Sequence, residues 1–205
     1  MPQSEKKIKQ PIVPPTPEEL PRLGNSFTRS IGVTALRILG WRVKGELPRV
    51  PKAIFAAAPH TSNWDFIVAM IAILALGLKL SFLMKKEAFF WPCKNLFMVL
   101  GGIPIDRQAA NDTVGQVSKW IAERDTCWIV ITPEGTRSKV TRWKTGFLRI
   151  AEQADVPIVL VAWDYPSKTM YIDSIWPISN THEVEADNIR DYINANYAGR
   201  HPSKQ

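Results

Sequence analysis

The stretch AIFAAAPHTSNWDF, residues 53–66, decides how the chain is built. Its first half, Ala53–Pro59, is a short apolar run with the length of a buried strand, closed by a proline that cannot continue a ladder. Its second half opens a helix. Ser62 stands three positions before Asp65, the spacing of a capping box, and the apolar run Phe66–Leu78 follows. Strand, turn and helix thus succeed one another without a linker.

Outward from this unit the same alternation continues. Ser81–Met84 and Val99–Ile105 read as strands, Asn111–Glu123 as a helix with Asp112 as a cap, and Cys127–Thr132 as a buried strand. Thr145–Ala154 reads as a helix ended by Val156 and Pro157, followed by strands at Ile158–Trp163 and Thr169–Asp173 and a polar helix at Glu185–Tyr197. Strands alternating with helices predict an α/β fold with a mostly parallel or mixed central sheet flanked by helices. Residues 1–25 contain PIVPPTPEELP and read as a flexible proline-rich tail, leaving residues 26–205 as a single domain. There is no internal repeat.

Residues 26–42, SFTRSIGVTALRILGWR, predict an N-terminal amphipathic helix, with Phe27, Ile31, Ala35 and Ile38 on one face and Arg29, Arg37 and Arg42 elsewhere. Such a helix suits the plane of a lipid interface, and equally a place on the core. A helix over Phe66–Leu78 would cover about 20 Å, short of the roughly 30 Å hydrocarbon core. The expectation is a protein lying on a membrane without spanning it through this segment. No secretory signal is evident, and Cys93 and Cys127 lack metal or redox spacing, which suits a reducing, cytoplasmic setting. The net charge of +7 favours anionic partners. The eight Trp lean toward a lipid interface, although a core placement explains them as well. No nucleic-acid recognition motif appears, so nucleic acid is not an expected partner.

Three segments carry chemistry. In PHTSNWD, His60 and Asp65 lie five positions apart where strand passes into helix. Imidazole accepts protons near neutral pH, and a carboxylate on its other nitrogen would fix the tautomer. Capping alone also explains Asp65. In GGIPIDR, residues 101–107, Arg107 follows two glycines and could reach an anion, or be merely solvated. In TPEGTRSK, residues 132–139, Gly135 permits unusual backbone, Thr136 offers a hydroxyl, and Arg137 offers a fork suited to phosphate. Glu134 could hold Arg137 or bind a substrate hydroxyl.

Together, PHTSNWD at 59–65, GIPIDR at 102–107, EGTRS at 134–138 and VPIVLV at 156–161 resemble, in order and spacing, the blocks of the glycerolipid acyltransferase family. That family includes lysophosphatidate and glycerol-3-phosphate acyltransferases. The resemblance covers roughly residues 40–175. It implies transfer of a fatty acyl group from acyl-CoA or acyl carrier protein to a hydroxyl of a phosphate-bearing acceptor, with 1-acylglycerol-3-phosphate foremost. Another lysophospholipid or a lyso-aminolipid would also fit.

His60 would be general base and Asp65 its orienting partner. Arg107, Glu134, Gly135, Thr136, Arg137 and Lys85 would bind the acceptor. Val156 and Pro157 would belong to the acyl-donor region. The resemblance implies no cofactor or metal beyond the co-substrate, and a place on the inner face of the cell membrane among anionic lipids. Pro59 precedes the histidine where many members carry Asn. Outside the family, a noncatalytic lipid-binding module would not need His60, and a metal-dependent hydrolase would need more ligands than His60, Asp65 and Glu134 provide.

Overall fold

In the computed structural model, residues 11–99, 101–105 and 113–205 are described. The helices are α1 (Ser26–Leu39), α2 (Asn63–Leu76), α3 (Cys93–Val99), α4 (Thr113–Ala122), α5 (Gly146–Ala154) and α6 (His182–Asn196). The strands are β1 (Arg42–Gly45), β2 (Lys52–Ala58), β3 (Ser81–Lys85), β4 (Gly102–Ile105), β5 (Cys127–Ile131), β6 (Ile158–Asp164) and β7 (Thr169–Trp176). They form one seven-stranded sheet in the order β1-β7-β6-β2-β5-β3-β4. From β6 to β4 every neighbouring pair is parallel, β7 runs antiparallel to β6, and β1 is parallel to β7. The sheet is therefore mixed, with a parallel centre.

Strand alternation divides the interior in two. On β2, Ile54, Ala56 and Ala58 face one apolar cluster, while Ala53, Phe55 and Ala57 face the other. On β6, Ile158, Leu160 and Ala162 join the first, and Val159, Val161 and Trp163 the second. The first cluster is closed by Val117 and Ile121 of α4, Phe147, Leu148 and Ile150 of α5, and Ile189 and Ile193 of α6. The second is closed by Leu36 of α1 and Val68, Ala72, Ala75 and Leu76 of α2. Because both faces are covered, β2 is apolar from Ala53 to Ala58 and β6 from Ile158 to Trp163 instead of alternating. Gly32 of α1 touches α2 so closely that a Cβ there would lie 2.4 Å from the amide nitrogen of Ala75. Any other residue would push the two helices apart.

The structure departs from the sequence reading in three places. The helix predicted over 26–42 stops at Leu39, where Gly40 turns left-handed (φ 74°). Trp41 is then buried, and Arg42–Gly45 pairs with β7 as an edge strand. Residues 11–25 are laid against the core instead of hanging free. The Leu23 amide donates to the Gly77 carbonyl, the Lys79 amide to the Pro21 carbonyl, and Leu20 is buried. Residues 1–10 lie outside the described residues, as does Asp112. The strand predicted over Val99–Ile105 is confined to Gly102–Ile105, because Cys93–Val99 is helical. Among the described residues no helix is long and apolar enough to cross a membrane.

Candidate active site

Since β6, β2, β5, β3 and β4 are parallel, their carboxyl ends share one edge of the sheet, where α/β folds gather ligand-binding groups. That edge carries His60 after β2, residues 132–139 after β5 and Lys85 at the end of β3. Arg107 follows β4 but lies outside the described residues. Val156 and Pro157 precede β6 and therefore sit at the opposite edge, where the Pro157 carbonyl accepts from the Ile54 amide. Their role at the acyl donor does not follow from this placement. The end of the same strand, not its beginning, reaches the site.

The His60 turn is built around one carboxylate. Asp65 is fully buried. Its Oδ2 accepts from the Thr61 amide (2.8 Å) and the Ser62 amide (2.8 Å), and lies 3.1 Å from His60 Nδ1. Its Oδ1 accepts from the Tyr165 hydroxyl at 2.6 Å. Capping and pairing with His60 are therefore not alternatives, since one oxygen does both. Burial opposes the charge, but hydrogen bonds from His60, Tyr165 and the Ser62 amide outweigh it and hold the carboxyl below its ordinary value. A carboxylate on Nδ1 selects the tautomer with its proton there, so the lone pair of the neutral ring is on Nε2. Nε2 has no hydrogen-bond partner among the described residues, and the side chain is 19% exposed.

Glu134, on the neighbouring loop, behaves differently. Its Oε1 accepts from the His60 backbone amide at 2.7 Å, while Oε2 is buried without a hydrogen-bond partner among the described residues. Burial pushes its carboxyl up to about 7, against the opposing pull of the His60 amide. Glu134 thus clamps the backbone of the His60 turn and does not hold Arg137. Gly135 is left-handed (φ 64°), with the Lys144 side chain packed where a Cβ would project. Thr136 Oγ1 accepts from the Ser138 amide at 3.3 Å. Arg137 is exposed and makes no hydrogen bond or ion pair among the described residues.

Sequence reasoning missed Tyr165 and the C-terminal segment. The His201 amide donates to Thr61 Oγ1 (3.2 Å), and Gly199 lies against Thr61 and Pro59. A tyrosine just past an apolar strand was the only available signal for the first, and nothing in the polar C-terminal residues marks the second. Among the described residues, no group of three or more His, Cys, Asp and Glu is arranged to hold a metal ion.

This arrangement places a histidine, oriented by a buried carboxylate, at the carboxyl edge of a covered sheet, and such a pair is chemically able to move a proton. The Acyltransferase family model matches residues 41–163, more than half of the chain, and the protein belongs to the acyltransferase family. Among solved structures it is similar to the 1-acyl-sn-glycerophosphate (LPA) acyltransferase PlsC from Thermotoga maritima. The identity is 20%, covering 82% of this chain and 75% of that one, with a TM-score of 0.59. At that identity the likeness establishes a shared fold. No curated protein matches the chain.

Proposed function

We propose that this enzyme moves a fatty acyl group from an acyl-CoA or acyl carrier protein thioester to a free hydroxyl of a phosphate-bearing glycerolipid. The foremost acceptor is 1-acylglycerol-3-phosphate. The observation that carries the reading is the 3.1 Å contact between His60 Nδ1 and Asp65, which leaves Nε2 as the available base on the edge that also bears Arg137. His60 Nε2 removes the acceptor's hydroxyl proton as the oxygen attacks the thioester carbonyl. Asp65 stabilises the imidazolium that results. The tetrahedral intermediate then expels the thiolate, which takes the proton back from His60, so no acyl-enzyme forms and the thioester is consumed as co-substrate. Arg137, together with Arg107 and Lys85, would hold the acceptor phosphate, for which an exposed guanidinium is suited.

Both substrates are amphiphiles, which calls for a lipid-facing surface. Phe27, Ile31 and Ile38 of α1 and Trp64, Phe66 and Ile67 of α2 are exposed, and α2 begins at the His60 turn. These side chains support peripheral attachment to a membrane, which we assign to its cytoplasmic face, and the net charge of +7 favours anionic lipids there.

The test is incubation of purified protein with labelled acyl-CoA or acyl carrier protein and a panel of lysolipids, read by mass spectrometry. The wild-type protein should acylate 1-acylglycerol-3-phosphate. His60→Ala should lose roughly 10²–10⁴-fold in turnover, the usual contribution of a positioned base, while still sedimenting with vesicles. Unchanged turnover in His60→Ala would end the mechanism.

A further inference from the structure

We infer that Tyr165 is a positioning residue for the His60–Asp65 pair, fixing the carboxylate so that Oδ2 faces the imidazole. This rests on His60 acting as base. The two oxygens of Asp65 have separate duties. Oδ2 is shared among two amides and the ring, while Oδ1 has the Tyr165 hydroxyl as its hydrogen-bond partner, at 2.6 Å. Without that donor, a fully buried carboxylate oxygen would be left unpaired, and the two amides and the ring on Oδ2 alone would set the tilt of the group.

Tyr165 is itself held. Its ring meets Trp41 edge-on at 4.9 Å, its amide donates to the Ala198 carbonyl, and its carbonyl accepts from the Lys168 amide. The Ala198 amide donates to Oδ1 of Asp164, the residue before Tyr165. The hydroxyl therefore arrives from the first residue of the turn between β6 and β7, a residue tied down at its amide, its carbonyl and its ring. Burial and the adjacent Asp65 charge raise the phenol's pKa, so it remains a donor wherever the enzyme works. The family match ends at residue 163, just short of it.

Among the described residues, Asp65 and Glu134 are the titratable groups beside the imidazole, Tyr165 reaches it through Asp65, and Arg200 lies near the phenol. The hydroxyl draws the charge of Asp65 away from Oδ2. Removing it should strengthen the hold of the carboxylate on the protonated ring while leaving Oδ1 unpaired.

The experiment compares Tyr165→Phe with wild type in steady-state kinetics across pH, beside His60→Ala and Asp65→Ala. Tyr165→Phe should lower kcat by about tenfold, equivalent to one decade of transition-state stabilisation. The KM values for acceptor and donor should stay unchanged, and the acidic limb of kcat should move to higher pH. Incorporating 3-fluorotyrosine at 165, a stronger donor of nearly the same shape, should move that limb the other way, and it provides the test should Tyr165→Phe fold poorly. If His60→Ala and Asp65→Ala are inactive while neither change at 165 alters kcat or the limb, the positioning role is overturned and the base assignment stands. If His60→Ala keeps its turnover, the base assignment falls first, and this role falls with it.

Discussion

The turns after β2 and β5 lie side by side, each contributes a buried carboxylate, and the two carboxylates are driven in opposite directions. Asp65 receives hydrogen bonds on both oxygens and is held below its ordinary value. Among the described residues Glu134 accepts the His60 amide on Oε1 and has no partner on Oε2, and burial pushes the group up to about 7. Burial is common to both, so the number of donors decides the charge. An environment that separates two acids in this way assigns them different work. Asp65 is held toward its charged form beside the imidazole. Glu134 is a group near its titration point that holds the histidine's backbone.

The largest effect that tests this contrast is the pH dependence of stability in Glu134→Gln. The folded protein binds a proton at Glu134 up to about 7, whereas the unfolded chain releases it near 4.5. Between those values the folded state carries the extra proton, so stability falls as pH rises through the window, and the loss is complete above it. The span corresponds to about 3 kcal/mol. Glutamine keeps the carbonyl that accepts from the His60 amide and cannot ionise. Denaturation midpoints should therefore favour Glu134→Gln by a margin that grows from pH 5 to pH 8. A constant margin would mean that Glu134 is not forced to ionise in the fold.

The second effect separates the anchored turn from the open loop. Arg137→Ala removes an exposed side chain that bonds to nothing else among the described residues, so the melting temperature should not move. The acceptor KM should rise by the equivalent of about 2 kcal/mol, the value of a charged hydrogen bond, with little change in KM for the thioester. A normal acceptor KM would remove Arg137 from the phosphate site.

The anchored turn was far more legible in the sequence than its surroundings. His60, Ser62 and Asp65 interact within six residues, so spacing alone brings them together, and the run Cys127–Thr132 betrays a strand covered on both faces. The link from Glu134 to His60 spans 74 positions and exists because β2 and β5 are neighbours in the sheet. That from Tyr165 spans 100. Neither neighbour relation is written in local periodicity. β1 was hidden because only Val43 of its four residues is buried and it follows a helix directly. Residues 11–25 were misread because prolines exclude regular structure without preventing a chain from packing.

The smallest effect probes the conformation that keeps the loop open. Gly135 sits at φ 64°, and an added Cβ would come within 2.8 Å of Lys144 Cε and Nζ. Those atoms are the flexible end of a side chain and can move aside, so the steric part is cheap. What remains is the left-handed backbone, worth about 1 kcal/mol against alanine. Gly135→Ala should therefore lower stability by about that amount in chemical denaturation. A larger share of its effect should appear as a raised acceptor KM, because Lys144 and Arg137 flank the displaced backbone. Gly135→Asn, which tolerates the left-handed region better, should recover most of the stability. A loss of several kcal/mol in Gly135→Ala would mean that this loop is as tightly determined as the His60 turn, and the contrast between the two would disappear.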